Sequence, residues 1–336
     1  MAVAIVLLTV FGVLLAAGGV AGWPDPAANE QAIGEVSRWC ERVSGGLIRE
    51  PLNTAGNLAF VIAGLVMFAV LARDTGKGRR VTNPFIGNQG IALLYAGAAT
   101  FLGPGSMLMH ASHTFVGAWL DNLSMVIYIL VPVVYNLALL GRWRARTFVL
   151  VYVTTVVLYA AGFWFLGADL GINFELFRVC IPLWIISEVL VRFWSPRVRW
   201  ASGLVGFAVA LAFGITPWTM ITHPDEYWWV LLFWLPAVLA KGPVPVRRRY
   251  TPWFWAGLAS FLAAFYIWNL GKDGTSFCEP DGLLQGHAVW HALSALATWC
   301  FFLFLRTQRF APPDAEPSEE QPADDAPVAV EPAESD

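Results

Sequence analysis

The sequence predicts an all-α polytopic membrane bundle, and three observations carry that reading. Of 336 residues, 57% are apolar and only 13% are charged, about half the charge of an ordinary soluble domain. The apolar residues gather in runs of about 17 to 22, the length at which a helix crosses a hydrocarbon core of about 30 Å. Seventeen tryptophans, many near the ends of those runs, fit the aromatic belts of two membrane–water interfaces.

In chain order, residues 1–23 are either a signal peptide, which the small residues from Ala16 to Ala21 suit, or an additional transmembrane helix. Residues 24–51 read as an extracytoplasmic loop. A transmembrane domain at 52–309 holds nine expected spans, near 52–72, 90–110, 121–141, 147–166, 174–193, 200–217, 227–241, 252–270 and 284–305. Basic loops follow the odd-numbered spans, from Arg73, Lys77, Arg79 and Arg80 through to Arg306 and Arg309. They hold 16 of the 21 Lys and Arg, whereas loops after the even-numbered spans have Lys272 alone. The positive-inside rule makes the basic side cytoplasmic. Residues 310–336 then form a cytoplasmic tail with nine acids and no base, too polar to bury a core and expected to be disordered. Without those acids the net charge of −3 becomes +6. The bases lie between apolar runs rather than along a stripe, which argues against nucleic-acid recognition. Cys180 and Cys300 fall inside helices as packing residues. Cys40 and Cys278 both face outward, where an oxidising compartment is compatible with a disulfide.

The chain has five histidines. His287 and His291, four residues apart at the start of the last span, project from one helix face. His110 ends the second span and Asp121 opens the third. By the expected topology all four lie near the outward ends of their helices, at one depth. Ionisable groups inside a membrane mark function, and three His ligands with an open fourth position are the donor set of a catalytic zinc. Asp121 is placed to move protons or orient an imidazole, and Ser106, one turn before His110, to bind a carbonyl or oxyanion. Structural readings stand beside these. An HxxxH pair often only hydrogen-bonds, Ser106 suits close helix packing, and Asp121 suits a helix cap. His113 and His223 read as hydrated interfacial residues, and Glu188–Arg192 and Glu175–Arg178 as local ion pairs.

Three blocks carry a resemblance: WCERVSGGLIREPLNTAGNLAF (Trp39–Phe60), GPGSMLMHASHTFVGAWLDNLSMVIY (Gly103–Tyr128) and FCEPDGLLQGHAVWHALSAL (Phe277–Leu296). Together they resemble the alkaline ceramidase family, within a wider superfamily of seven-helix membrane hydrolases that includes the adiponectin receptors. The resemblance implies zinc on His110, His287 and His291, catalytic roles for Ser106 and Asp121, a Cys40–Cys278 disulfide, and hydrolysis of the ceramide amide. It covers the first three and last two spans well and the middle poorly.

The family's N-terminal loop holds calcium. Trp39, Glu41 and Glu50 match its positions as a vestigial calcium site, but Arg38 and Val43 replace two ligands and the loop is shorter. These departures argue against calcium and place the Arg38 guanidinium in the ion's stead, paired with Glu41 or Glu50. The spans near 200–217 and 227–241 are extra to a seven-helix core. They read as an inserted hairpin that covers a lateral substrate entrance or builds a subunit contact; the oligomeric state is not fixed by sequence. Arg outnumbers Lys 18 to 3, a bias of GC-rich genomes. It points to a bacterial inner membrane and admits N-acyl lipids other than ceramide. The expected activity is therefore a zinc-dependent intramembrane amidohydrolase; the alternative is a lipid-sensing receptor with a structural zinc.

Overall fold

The computed structural model describes residues 2–24, 35–76 and 83–310. The acidic tail and the basic residues Lys77, Arg79 and Arg80 lie outside the described residues. The architecture is an all-α polytopic bundle. Ten helical elements matter here: α1 (Ala2–Ala21), α2 (Pro51–Thr75, with a turn at Asn57), α3 (Gln89–Ser112), α4 (Phe115–Gly141), α5 (Ala145–Leu166), α6 (Leu176–Arg192), α7 (Gly203–Ala212), α8 (Trp228–Leu239), α9 (Trp253–Leu270) and α10 (Gly286–Leu305). Among the described residues, seven of these are long and apolar enough to cross a membrane: α1 to α5, α9 and α10. The seven-helix core consists of α2 to α6 with α9 and α10, and α1 leans on α3 with no buried side chain.

The two extra spans are shorter than their apolar runs suggest. The run near 200–217 stops at Ala212, because Gly214 takes a left-handed φ of 78° and Pro217 opens a separate turn, Pro217–Thr222. In the run near 227–241, Pro236 has no N–H and its ring clashes with the carbonyl one turn back. The chain winds as a 3₁₀ turn over Trp228–Trp234 before a short α-helix, Leu235–Leu239. The third span also begins earlier than expected. Thr114 caps α4, its hydroxyl accepting from the Gly117 N–H at 3.1 Å. Asp121 therefore lies almost two turns inside the helix and is not its cap.

The bundle has two distinct ends. At one, Arg306 forms a bidentate pair with Asp74 at 2.7 and 2.8 Å, joining the ends of α10 and α2. A two-residue ladder between β1 (Val246–Arg247) and β2 (Arg309–Phe310) ties the segment before α9 to the end of α10. Buried Arg248 pairs there with Glu188 of α6 and hydrogen-bonds Asn136 of α4 and Gln308. Glu188 is thus held by Arg248 and Tyr250, not by Arg192, whose guanidinium lies over the Tyr250 ring at 4.7 Å. The local Glu175–Arg178 pair forms as expected, at 2.9 Å. The basic stretches after α2, α6, α8 and α10 thus begin at one end, the pattern the charge alternation calls for.

Candidate metal centre and lipid cavity

The opposite end gathers the sequence-predicted site. Close helix contacts bring its parts into register. A Cβ on Gly56 of α2 would lie 2.8 Å from the Ala288 backbone of α10, and one on Gly105 of α3 would lie 2.6 Å from Ser124 of α4. Small residues at crossings let membrane helices approach backbone to backbone. The first contact sets the α10 histidines over the start of α2; the second sets Ser106 beside Asp121.

His110, His287 and His291 are all buried, and their Nε2 atoms converge. His287 Nε2 lies 3.1 Å and His291 Nε2 3.2 Å from His110 Nε2. Tetrahedral coordination at about 2.0–2.1 Å per nitrogen sets neighbouring ligand atoms at such separations. Among the described residues this is the one group of three or more His, Cys, Asp and Glu side chains arranged to hold a metal ion.

Glu50 fixes the chemistry of that group. Its carboxylate, fully buried, accepts from His110 Nδ1 at 2.8 Å, His113 Nε2 at 2.5 Å and Asn53 Nδ2 at 2.7 Å. Burial alone would raise its pKa, but the His110 and His113 imidazoles hold it well below the ordinary carboxylate range. With Nδ1 of His110 committed as donor, the lone pair sits on Nε2, aimed at the convergence point. This carboxylate–histidine pairing is the usual outer support of a metal ligand.

His113 is also buried rather than hydrated. It ends α3 in a left-handed conformation (φ 49°), which turns its ring back to Glu50. His287 is held differently. Its Nδ1 has no hydrogen-bond partner, and its ring stacks on Trp39 at 4.4 Å between centroids, 16° from parallel. His223 is exposed and bonds the Thr222 hydroxyl.

These contacts replace the expected ion-like pairing in the N-terminal loop. Arg38 is exposed and lies over Trp39 at 5.1 Å, paired with neither Glu41 nor Glu50. Glu41 instead accepts the backbone N–H groups of Leu52 and Asn53, at 2.6 and 2.7 Å, and caps the start of α2. Trp39, Glu41 and Glu50 are each committed to other partners. The loop is pinned across the site by the Cys40–Cys278 disulfide (Cα–Cα 5.4 Å) and by a bidentate Arg42–Asp281 pair.

Inward of the triad lies an apolar cavity of about 410 Å³, within the range of small-ligand sites. Ser106, Asp121 and His291 line it, and Ser294, Thr298, Phe301 and Leu305 mark successive depths along α10. Asp121 is close enough to His110 for their charges to interact. The buried Ser106 hydroxyl faces the Asp121 carboxylate, while the buried Ser294 hydroxyl has no hydrogen-bond partner; an unsatisfied buried polar atom beside a cavity suits a polar ligand group.

A family model described as Ceramidase matches residues 36–322. The chain belongs to the ceramidase family. Membership supports a ceramide-hydrolysing enzyme, and the matched region contains both the histidine triad and the cavity. No curated protein matches the sequence. Within this family member, spacing put His287 and His291 on one face, and the expected topology brought His110 to the same end, making the triad a candidate. Glu50 and His113 escaped that reading, although the HxxH of His110 and His113 beside a Glu that directly precedes a helix-opening proline was the available signal.

Proposed function

We propose that the chain hydrolyses the amide bond of ceramide or a related N-acyl lipid, using zinc held by His110, His287 and His291. The observation that carries this is the convergence of three buried Nε2 atoms, one locked by a carboxylate, at the polar end of a lipid-sized apolar cavity. Zinc so held supplies a Lewis acid that polarises the amide carbonyl and acidifies water. Asp121 accepts a proton from the attacking water and delivers it to the departing amine nitrogen as the C–N bond breaks. Ser106, beside Asp121, turns its hydroxyl to donate to the carbonyl oxygen. Exclusion of water by the apolar walls strengthens each of these interactions. The products are a fatty acid and a long-chain amine.

The charge alternation supports the triad on the extracytoplasmic side and the C-terminus in the cytoplasm, and the excess of Arg over Lys supports a bacterial inner membrane. The test is metal analysis combined with turnover of a fluorescent ceramide by the purified protein. His287→Ala is expected to lose both zinc and product formation. Full hydrolysis by that variant refutes the assignment, and ceramide binding without turnover by the wild type favours a lipid sensor.

A further inference from the structure

We infer that α7, a helix outside the seven-helix core, is a wall of the lipid cavity, and that its small residues set the length of hydrocarbon chain accepted. This inference rests on the proposed hydrolase reading and specifies its substrate.

The ten residues of α7, GLVGFAVALA, divide between a side packed on α8 and a side turned to the cavity and its opening. Gly203 and Gly206 press against α8, where a Cβ would fall 2.5 Å from Trp234 and 2.3 Å from Phe233. Leu204 and Leu211, 61% and 53% accessible, lie within one turn of Ala208 on the same side of the helix, where Ala208 and Ala212 are themselves exposed at the opening of the cavity. Ala208, Val209 and Ala212 line the cavity, and Phe213, just past the helix end, joins them.

The wall is needed because of how the core packs. α9 packs chiefly along α10, and its ring contact with α6 is Trp184 on Phe254, at 6.2 Å. α7 narrows the rest of that gap. It packs on α6, and Phe213 meets Phe265 of α9 at 5.0 Å between ring centroids. Side chains of α6, α7 and α9 together line the side of the cavity away from α3 and α4, which is partly open between α7 and α9. Without α7, this side would open more widely towards lipid.

The cavity has the dimensions of one chain. Ser294 and Leu305 both line it and lie eleven residues apart on α10, about 16 Å at 1.5 Å per residue. That is about half of a 30 Å hydrocarbon core, the reach of a single leaflet's acyl chain. Alanines at 208 and 212 leave that length open, and a larger side chain at either would cross it.

The experiment uses the full chain in detergent and compares palmitoyl with octanoyl chains in two readouts. One is turnover of N-palmitoyl and N-octanoyl sphingosine; the other is displacement of a fluorescent fatty acid by palmitate and octanoate. Ala208→Phe and Ala212→Phe should each lower the palmitoyl-to-octanoyl ratio by about tenfold or more, since a single methylene in an apolar pocket changes discrimination on that scale. Val209→Ala, which removes atoms and cannot overpack, should shift the ratio the other way. Leu231→Phe, exposed on α8 and outside the cavity lining, should leave it unchanged. Ratios within twofold of wild type for all three cavity-facing variants would overturn the inference. Absence of sphingosine release by the wild type would instead sink the hydrolase reading, while the displacement ratio still decides the role of α7.

Discussion

Glu50→Gln changes one atom of a buried side chain and tests how the metal centre is supported. In the native chain the carboxylate is an acceptor only, facing the His110 Nδ1, His113 Nε2 and Asn53 Nδ2 donors. Glutamine keeps the shape but turns one oxygen into an NH₂ group. Either one donor then faces another, or His113 moves its proton to its buried, unpartnered Nδ1, in a place with no access to water. An unsatisfied buried donor costs about 1–3 kcal/mol. If the loss falls on His110, it frees the ring to rotate and to place a proton on Nε2, the atom needed for the metal. Outer-support substitutions of this kind weaken metal affinity by about 10–100-fold, which corresponds to about 1.4–2.8 kcal/mol. The two routes agree in size. Affinity is measured by competition with a chromophoric zinc chelator, with a thermal melt of the metal-free protein alongside. The expected result is a drop of one to two orders of magnitude in affinity, with a melting transition that remains cooperative. Affinity within twofold of wild type would show that Glu50 does not support the ligand.

Three further outcomes are expected. Asp121→Asn should retain zinc yet lose about 10²–10⁴-fold in kcat, since it removes a proton acceptor and not a ligand; metal loss measured by elemental analysis would make Asp121 structural. Cys278→Ser, or reductant on the wild type, should destabilise the fold by about 2–4 kcal/mol in thermal melts and loosen the stacking of Trp39 on His287, read as faster zinc release. Glu188→Ala should cost about 3–5 kcal/mol by stranding the buried Arg248 charge, whereas Glu188→Leu with Arg248→Met should recover much of that. Zinc content should stay intact in both, because this network lies at the far end of the bundle from the triad.

What the sequence disclosed depended on whether a feature is local. The four-residue spacing of His287 and His291 fixes their common face in any helix, and the loop charges placed His110 at the same end. Glu50 was opaque because a loop carboxylate beside Glu41 and Trp39 resembles an ion ligand until its tertiary partners are known. Likewise, nothing local distinguishes Glu188–Arg192 at helical spacing from the pairing with Arg248, sixty residues away, that the fold makes. The short helices α7 and α8 were overestimated because hydrophobicity marks what prefers lipid, while Gly214, Pro217 and Pro236 decide where a helix can continue. Asp121 kept its predicted neighbours but not its predicted place, since Thr114 begins the helix two turns earlier.

The covalently pinned outer loop has a consequence for how turnover should be measured. With Trp39 stacked on His287 and Cys40 bonded to Cys278 at the outer end, the lipid reaches the site through a cavity whose walls are largely apolar. The substrate supply that governs rate is then its mole fraction in the surrounding bilayer or micelle, a surface density rather than a bulk molarity. Diluting the lipid phase with detergent at fixed total substrate should slow the reaction, just as diluting a soluble enzyme's substrate with buffer would.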